Sequence, residues 1–190
     1  MFLLGGYNLK ATGIVRRIDD LGRIVIPKEI RRTLHIREGD PLEIYTDRQG
    51  EVILKKYSPI GELGTFAQEY AEAIYETTKF IACVCDRDNI IAVSGVPKKS
   101  ILNKKISPQI DKVIEGRKTV IRDKDSGNEY SLLNDEMEEV VVCVVAPILT
   151  QGDPIGAIIL LSEDEQMKIT ENEVRIVEVG ANFLGKQMEE

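Results

Sequence analysis

Arginine dominates the chemistry of the first quarter of this chain. Arg16 and Arg17 stand together, Arg23 follows a turn, and Arg31 and Arg32 stand together again, with Lys28 and Arg37 close by. A guanidinium is a planar donor fork that can grip phosphate oxygens or guanine edges with two hydrogen bonds at once. Residues 10–56 carry 11 Lys+Arg against 8 Asp+Glu, a net of +3, although the whole chain is at −7. Residues 1–9 are uncharged, so residues 57–190 carry −10. A basic head on an acidic body is the charge distribution of a polyanion-binding protein. The competing reading is a solvated surface whose arginines pair with Asp19, Asp20 and Glu29.

Other chemistry is sparse. His35 is the single histidine, no serine or cysteine sits in a G-x-S-x-G setting, and Gly5-Gly6 lack the frame of a phosphate loop. The acids of DEMEE (135–139) read as a solvated run. Cys83 and Cys85 are two apart, so on a strand they share a face; Cys143 lies in a separate apolar run, and no C-x-x-C exists. Buried inert thiols are the expectation, ahead of a three-thiolate metal site or a redox sensor. No catalytic residue, metal or cofactor is therefore expected.

The elements that must hold the arginines are short. ATGIVRRI (11–18) and RIVI (23–26) read as strands around an Asp19-Asp20-Leu21-Gly22 turn, which would put Arg16 and Arg17 on opposite strand faces. Pro27 stops the second strand and opens a helix, KEIRRTL (28–34). PLEIYTD (41–47) and EVILKK (51–56) form a hairpin about Arg48-Gln49-Gly50. A unit of about 47 residues without disulfide or metal buries too little to fold securely alone, which makes dimerisation the expected remedy.

Tyr57-Ser58-Pro59 marks the domain boundary. The spacing then predicts a helix over 60–78, strands at 80–86 and 90–95, short helices near 98–104 and 108–116, a strand at 119–123 and an exposed loop at 123–130. Strong β runs at 140–149 and 155–163 flank a turn at 150–154. A capping box, Thr170 with Glu173, opens a last helix at 171–189. On that helix Val174, Val177, Ala181, Leu184 and Met188 form one apolar seam, and Ile176, Val179 and Phe183 a second; either both are buried or one awaits a partner.

A hydrophobic share of 43% with 30% charged residues is that of a soluble globular protein. No apolar run spans a bilayer, the opening MFLLGGYNL lacks a basic flank, and three cysteines are an odd number. The expectation is a cytoplasmic protein with free thiols and no membrane contact. Residues 1–9 look detached, as a disordered tail or as an extension upstream of a non-standard start at Leu9.

TGIVRRIDDLGRIVIPKEIRRTL, then GDPLEIYTD and VILKKY, resembles the swapped-hairpin DNA-binding domain of the AbrB-like transition-state regulators. That resemblance covers residues 10–56. It implies a barrel-like dimer of interleaved chains, with double-stranded DNA contacted by Arg16, Arg23, Arg31 and Arg32 and by Arg17 at a further basic position. Residues 57–190 resemble a GAF domain, an α+β sensor module with a central antiparallel sheet and flanking helices. The resemblance rests on FIACVCDRDNIIAVSG and VVVCVVAPILTQGDPIGAIILLSE between an opening and a closing helix. It lacks the cyclic-nucleotide signature, so the small-molecule ligand, if one binds, is unidentified. The two modules in this order imply a sporulation regulator that activates or represses late, forespore-specific genes, assembled as a tetramer through the terminal helices of the second module. Two alternatives stay open. One is an antitoxin, because the same small fold serves antitoxins; the other is a GAF-type sensor without DNA binding.

Overall fold

The computed structural model describes residues 12–48, 50–123, 131–134, 142–164 and 166–189. The expectations for residues 1–9, for the loop at 124–130 and for the acidic run at 135–139 lie outside these. The chain divides into two compact units between Asp40 and Pro41.

In the first unit, α1 spans Lys28–Thr33. Pro27 precedes it, where a missing N–H costs nothing. The helix ends at His35, whose positive φ of 53° lets its own N–H reach Arg32 O at 3.4 Å and the Ile36 N–H reach Arg31 O at 2.8 Å. The strands expected at 11–18 and 23–26 do not form: described residues 12–19 and 23–27 carry no strand pairing. A strand is defined by the neighbour that takes its backbone bonds, and the described residues of this chain supply none to these stretches. The turn between them does form. Gly22 N–H donates to Asp19 O at 3.0 Å, and the Asp19 N–H to Arg23 O at 3.1 Å, with Gly22 at φ 77°.

The second unit begins with the expected hairpin, β1 (Leu42–Thr46) against β2 (Val52–Lys56), pairing Leu42 with Lys56 and Thr46 with Val52. The helix expected at 60–78 is two, α2 (Pro59–Glu62) and α3 (Gly64–Thr78), broken at Leu63 between Gly61 and Gly64. A five-stranded antiparallel sheet follows. Its strands are β3 (Ile81–Asp86), β4 (Ile90–Ser94), β5 (Val120–Asp123), β6 (Val142–Thr150) and β7 (Asp153–Ser162), in the spatial order β4-β3-β7-β6-β5. The expected five-residue turn between the last two is tighter, only Gln151-Gly152, both at positive φ (50° and 89°) as a primed hairpin turn needs.

The strands alternate between two apolar layers. One face (Val84, Val144, Ile158, Leu160) packs under α3 and under α6 (Glu171–Gln187). The other (Cys83, Cys85, Cys143, Ile159) packs under α4 (Lys98–Ile101) and α5 (Pro108–Gly116). Strands covered on both sides read as continuous apolar runs, which these do. Close approaches fix two glycines of the first layer. A Cβ on Gly180 would lie 1.9 Å from Tyr70 Oη, whose hydroxyl donates to Ile176 O at 2.8 Å; one on Gly185 would lie 2.1 Å from Leu149 O. The capping box of Thr170 and Glu173 is formed. The seam Val177, Ala181, Leu184 is buried on the sheet, while Val179 and Phe183 of the second strip stay exposed.

Candidate nucleic-acid interface

The arginines sit on two local frames of the first unit. The Asp19–Arg23 turn is built by one carboxylate. Asp19 Oδ1 accepts the N–H groups of Arg23 (2.7 Å) and Leu21 (3.0 Å), and its Oδ2 accepts Arg23 Nε at 2.8 Å. The Arg23 backbone N–H, then its side chain, hold the Asp19 carboxyl below its ordinary range. Arg23 remains 70% exposed, so it faces water while paired. Arg16 and Arg17 are exposed on the unpaired extended stretch, so no strand sets them on opposite faces. On α1, Arg31 and Arg32 lie in the last turn, where cations suit the helix dipole. Arg32 is exposed; Arg31 is half-buried, and its Nε makes no hydrogen bond among the described residues.

The apolar residues interleaved with these arginines are also exposed: Val15 at 86%, Val25 at 72% and Ile18 at 65%. Helix α1 contains no buried residue. The unit thus presents guanidinium groups and uncovered β-branched side chains together. Among the described residues, Arg23 of the five candidate arginines is held by an acid that the sequence pointed to, Asp19.

Sequence reasoning did not foresee a second feature. Lys56, the end of β2, pairs with Asp88, and Ser58 Oγ donates to Asp86 Oδ2 at 2.9 Å. The other Asp86 oxygen accepts the N–H groups of Asp88 and Asn89, each at 2.7 Å. Arg87 Nη2 reaches Asp111 (3.3 Å) and Glu115 (3.1 Å) on α5. The β3–β4 turn therefore joins the segment leaving the hairpin to the far layer of the sheet. Ser58-Pro59 was the available signal, as an N-cap followed by Pro at N1.

The three thiols are buried and form no disulfide. Burial pushes Cys85 far up and Cys143 up to about 12, so neither ionises near neutrality. No group of three or more metal-ligating side chains occurs among the described residues. No helix there is long and apolar enough to cross a membrane.

Comparison with known proteins gives these features a context. The family model described as stage V sporulation protein T C-terminal, transcription factor, matches residues 62–189. A second, antidote-toxin recognition MazE, bacterial antitoxin, matches residues 15–62. Stage V sporulation protein T of Bacillus subtilis (strain 168) is 54% identical over 182 residues, 96% of this chain and 100% of the relative. The transition state regulatory protein AbrB of the same organism is 63% identical over 51 residues, 27% of this chain and 52% of its own. The crystal structure of a GAF domain from Acinetobacter phosphoenolpyruvate-protein phosphotransferase superposes with a TM-score of 0.57 at 12% identity, over 68% of this chain and 87% of that one. That last likeness concerns the fold alone. The architecture is thus an AbrB-like amino-terminal module followed by a GAF-like antiparallel sheet with helices on both sides.

Proposed function

We propose, from the premise that this chain belongs to the stage V sporulation protein T family of transcription factors, how its two modules divide the work of a DNA-binding sporulation regulator. The amino-terminal module, residues 10–56, grips double-stranded DNA as a dimer through Arg16, Arg17, Arg23, Arg31 and Arg32. Residues 57–190 are the sensor and assembly module. The observation that carries this reading is the pairing of exposed guanidinium groups with exposed Val15, Ile18, Ile24 and Val25 on backbone that has no partner strand among the described residues. A second copy's strands would cover both the open edges and the apolar side chains. The same pairing would gather ten arginines on one body, a surface suited to reading DNA shape as well as base edges.

The exposed strip of Val179 and Phe183 on α6, with exposed Phe66 on α3, supports assembly of two such dimers into a tetramer through the terminal helices. The regulator activates or represses late genes in the forespore compartment of the cytoplasm, and performs no catalysis. A small molecule bound in the sheet module would alter how the DNA-binding dimers are spaced. Helix α3 and the Lys56–Asp88 and Ser58–Asp86 contacts give such a signal a route to the hairpin. Mobility shifts at several salt concentrations test the core reading: a dimer engaging about three phosphates per subunit has a log–log salt slope near −5. Binding indifferent to salt, or none, would favour a sensor that does not touch DNA. Identical operator binding by residues 10–56 alone and by the full chain would remove the coupling. The antitoxin alternative draws on the match to residues 15–62, and recovery of a stable complex with a small ribonuclease would revive it.

A further inference from the structure

Residues 98–118 carry α4 and α5 over the second face of the sheet, where Leu132 and Leu133 join them, and the charge of this stretch is at odds with the rest of the module. The stretch holds six lysines and Arg117 against Asp111 and Glu115, a net of +5, inside a module of −10. The layer on the opposite face has the reverse sign: α2, α3 and α6 together carry seven glutamates against Arg175 and Lys186, a net of −5. The sheet thus separates helices of opposite net charge.

Among the described residues, the acids of this stretch do little to neutralise it. Asp111 and Glu115 both bond to Arg87, which enters from the β3–β4 turn and adds a further positive charge. Lys98 meets Glu72 at 3.5 Å and Arg117 meets Asp153 at 3.7 Å, both at the margins of the layer. Lys99, Lys105, Lys112 and Lys118 are exposed, while Ile101, Ile106, Ile110, Val113 and Ile114 anchor their backbone in the core. The lysines reach into solvent from a backbone whose apolar side chains are buried.

We propose that this lysine layer is a second DNA-contacting surface, which holds the phosphate backbone outside the sequence that the arginines occupy. It rests on the DNA-binding reading above. Composition argues for phosphates and against base edges. The described stretch 12–37 has six arginines and one lysine, whereas 98–118 has six lysines and one arginine. Arginine's fork suits bidentate readout, while lysine's ammonium is a hydrated point charge that suits backbone contact without sequence preference. Duplex DNA is also the polyanion already brought to this chain, so tethering raises its effective concentration at the layer.

The test uses the full-length protein, a 60-bp duplex carrying a target obtained by in vitro selection on this protein, and the central 20 bp of it. In the variant K99E/K105E/K112E/K118E, affinity for the 60-bp duplex should fall at least tenfold near 0.1 M salt. The salt slope should flatten by about three to four, from roughly 0.9 per lost phosphate contact. Affinity for the 20-bp duplex should stay within about twofold. The milder K99Q/K105Q/K112Q/K118Q variant should fall between, with an unchanged melting temperature showing that the fold is intact. No change on the 60-bp duplex would overturn the proposal and favour an acidic protein surface as the occupant. An equal loss on both lengths would also overturn it, as long-range charge and not contact. Failure of the unaltered protein to bind either duplex would instead overturn the DNA reading beneath it.

Discussion

The first forty residues and the sheet module solve the folding problem in opposite ways. The sheet hides Val84, Val144, Ile158 and Leu160 on one face and Cys83, Cys143 and Ile159 on the other, all within a single chain. The arginine unit has the same kind of β-branched residues and leaves them in water. Local geometry survives there wherever it needs only near neighbours: the Asp19–Arg23 turn and α1 with its His35 cap are both formed. What is missing among the described residues is the strand pairing at 12–19 and 23–27, which needs a distant partner. The difference teaches that the sheet module buries both faces of its sheet within one copy, whereas the described part of the arginine unit leaves its apolar residues uncovered, as the proposed dimer requires.

The strongest way to break that contrast is to charge the uncovered residues. Val15→Asp with Val25→Asp would place four unpaired carboxylates inside the proposed dimer, at several kcal/mol each. Sedimentation equilibrium should show the amino-terminal association lost, and DNA binding should fall with it, while melting of the sheet module stays put. If association and binding both persist, the unit does not need a second copy. Next comes the converse test. Leu160 is fully buried between the helices and the sheet, so Leu160→Ala should cost about 2–5 kcal/mol. A lowered thermal midpoint that does not depend on protein concentration would confirm a core closed within one chain.

A smaller effect sharpens the arginine side. Arg32→Ala should cost DNA affinity on the order of 1–3 kcal/mol in a mobility-shift titration. Arg23→Ala should cost less than Arg32→Ala, because Asp19 already occupies part of its guanidinium and must be displaced when DNA binds. Equal losses would mean that the Asp19 pair is too weak to compete with phosphate.

This contrast also explains what the sequence could say. Continuous apolar runs and turn chemistry placed the strands of the sheet, and the Thr170–Glu173 pattern fixed the start of α6. The break at Leu63 was obscured because Leu63 itself continues the helical apolar spacing of Phe66, Ala67, Tyr70, Ala71 and Ile74, although Gly61 and Gly64 were there to be weighed. The strands at 11–18 and 23–26 were legible as pattern, yet pattern cannot say which chain supplies the neighbour. The candidate arginines could be named from type and spacing, but the Asp19 lock on Arg23 depends on a turn conformation that brings residues four apart face to face. The lysine layer was hidden for another reason. Its charges are scattered over 21 residues of helix and loop and become one surface only when α4 and α5 lie on the same sheet face.

The smallest prediction concerns that lock. Asp19 is held below its ordinary carboxyl range by the Arg23 backbone N–H and then by the Arg23 side chain, both of which favour the ionised form. A depressed folded-state value means that the turn's contribution is fully present above the unfolded carboxyl value. It is lost as pH falls through the lower, folded one. At neutral pH the turn is therefore intact, and an acid titration followed by NMR should show the Arg23 amide shifting together with the Asp19 carboxyl, below the range of exposed aspartates. Asp19→Asn should abolish that titration. It should also release the Arg23 guanidinium, so weak binding to random-sequence duplex should tighten by a few-fold at low salt. If the release leaves that binding unchanged, Arg23 does not meet phosphate, and the contact surface must be drawn from Arg16, Arg17, Arg31 and Arg32 alone.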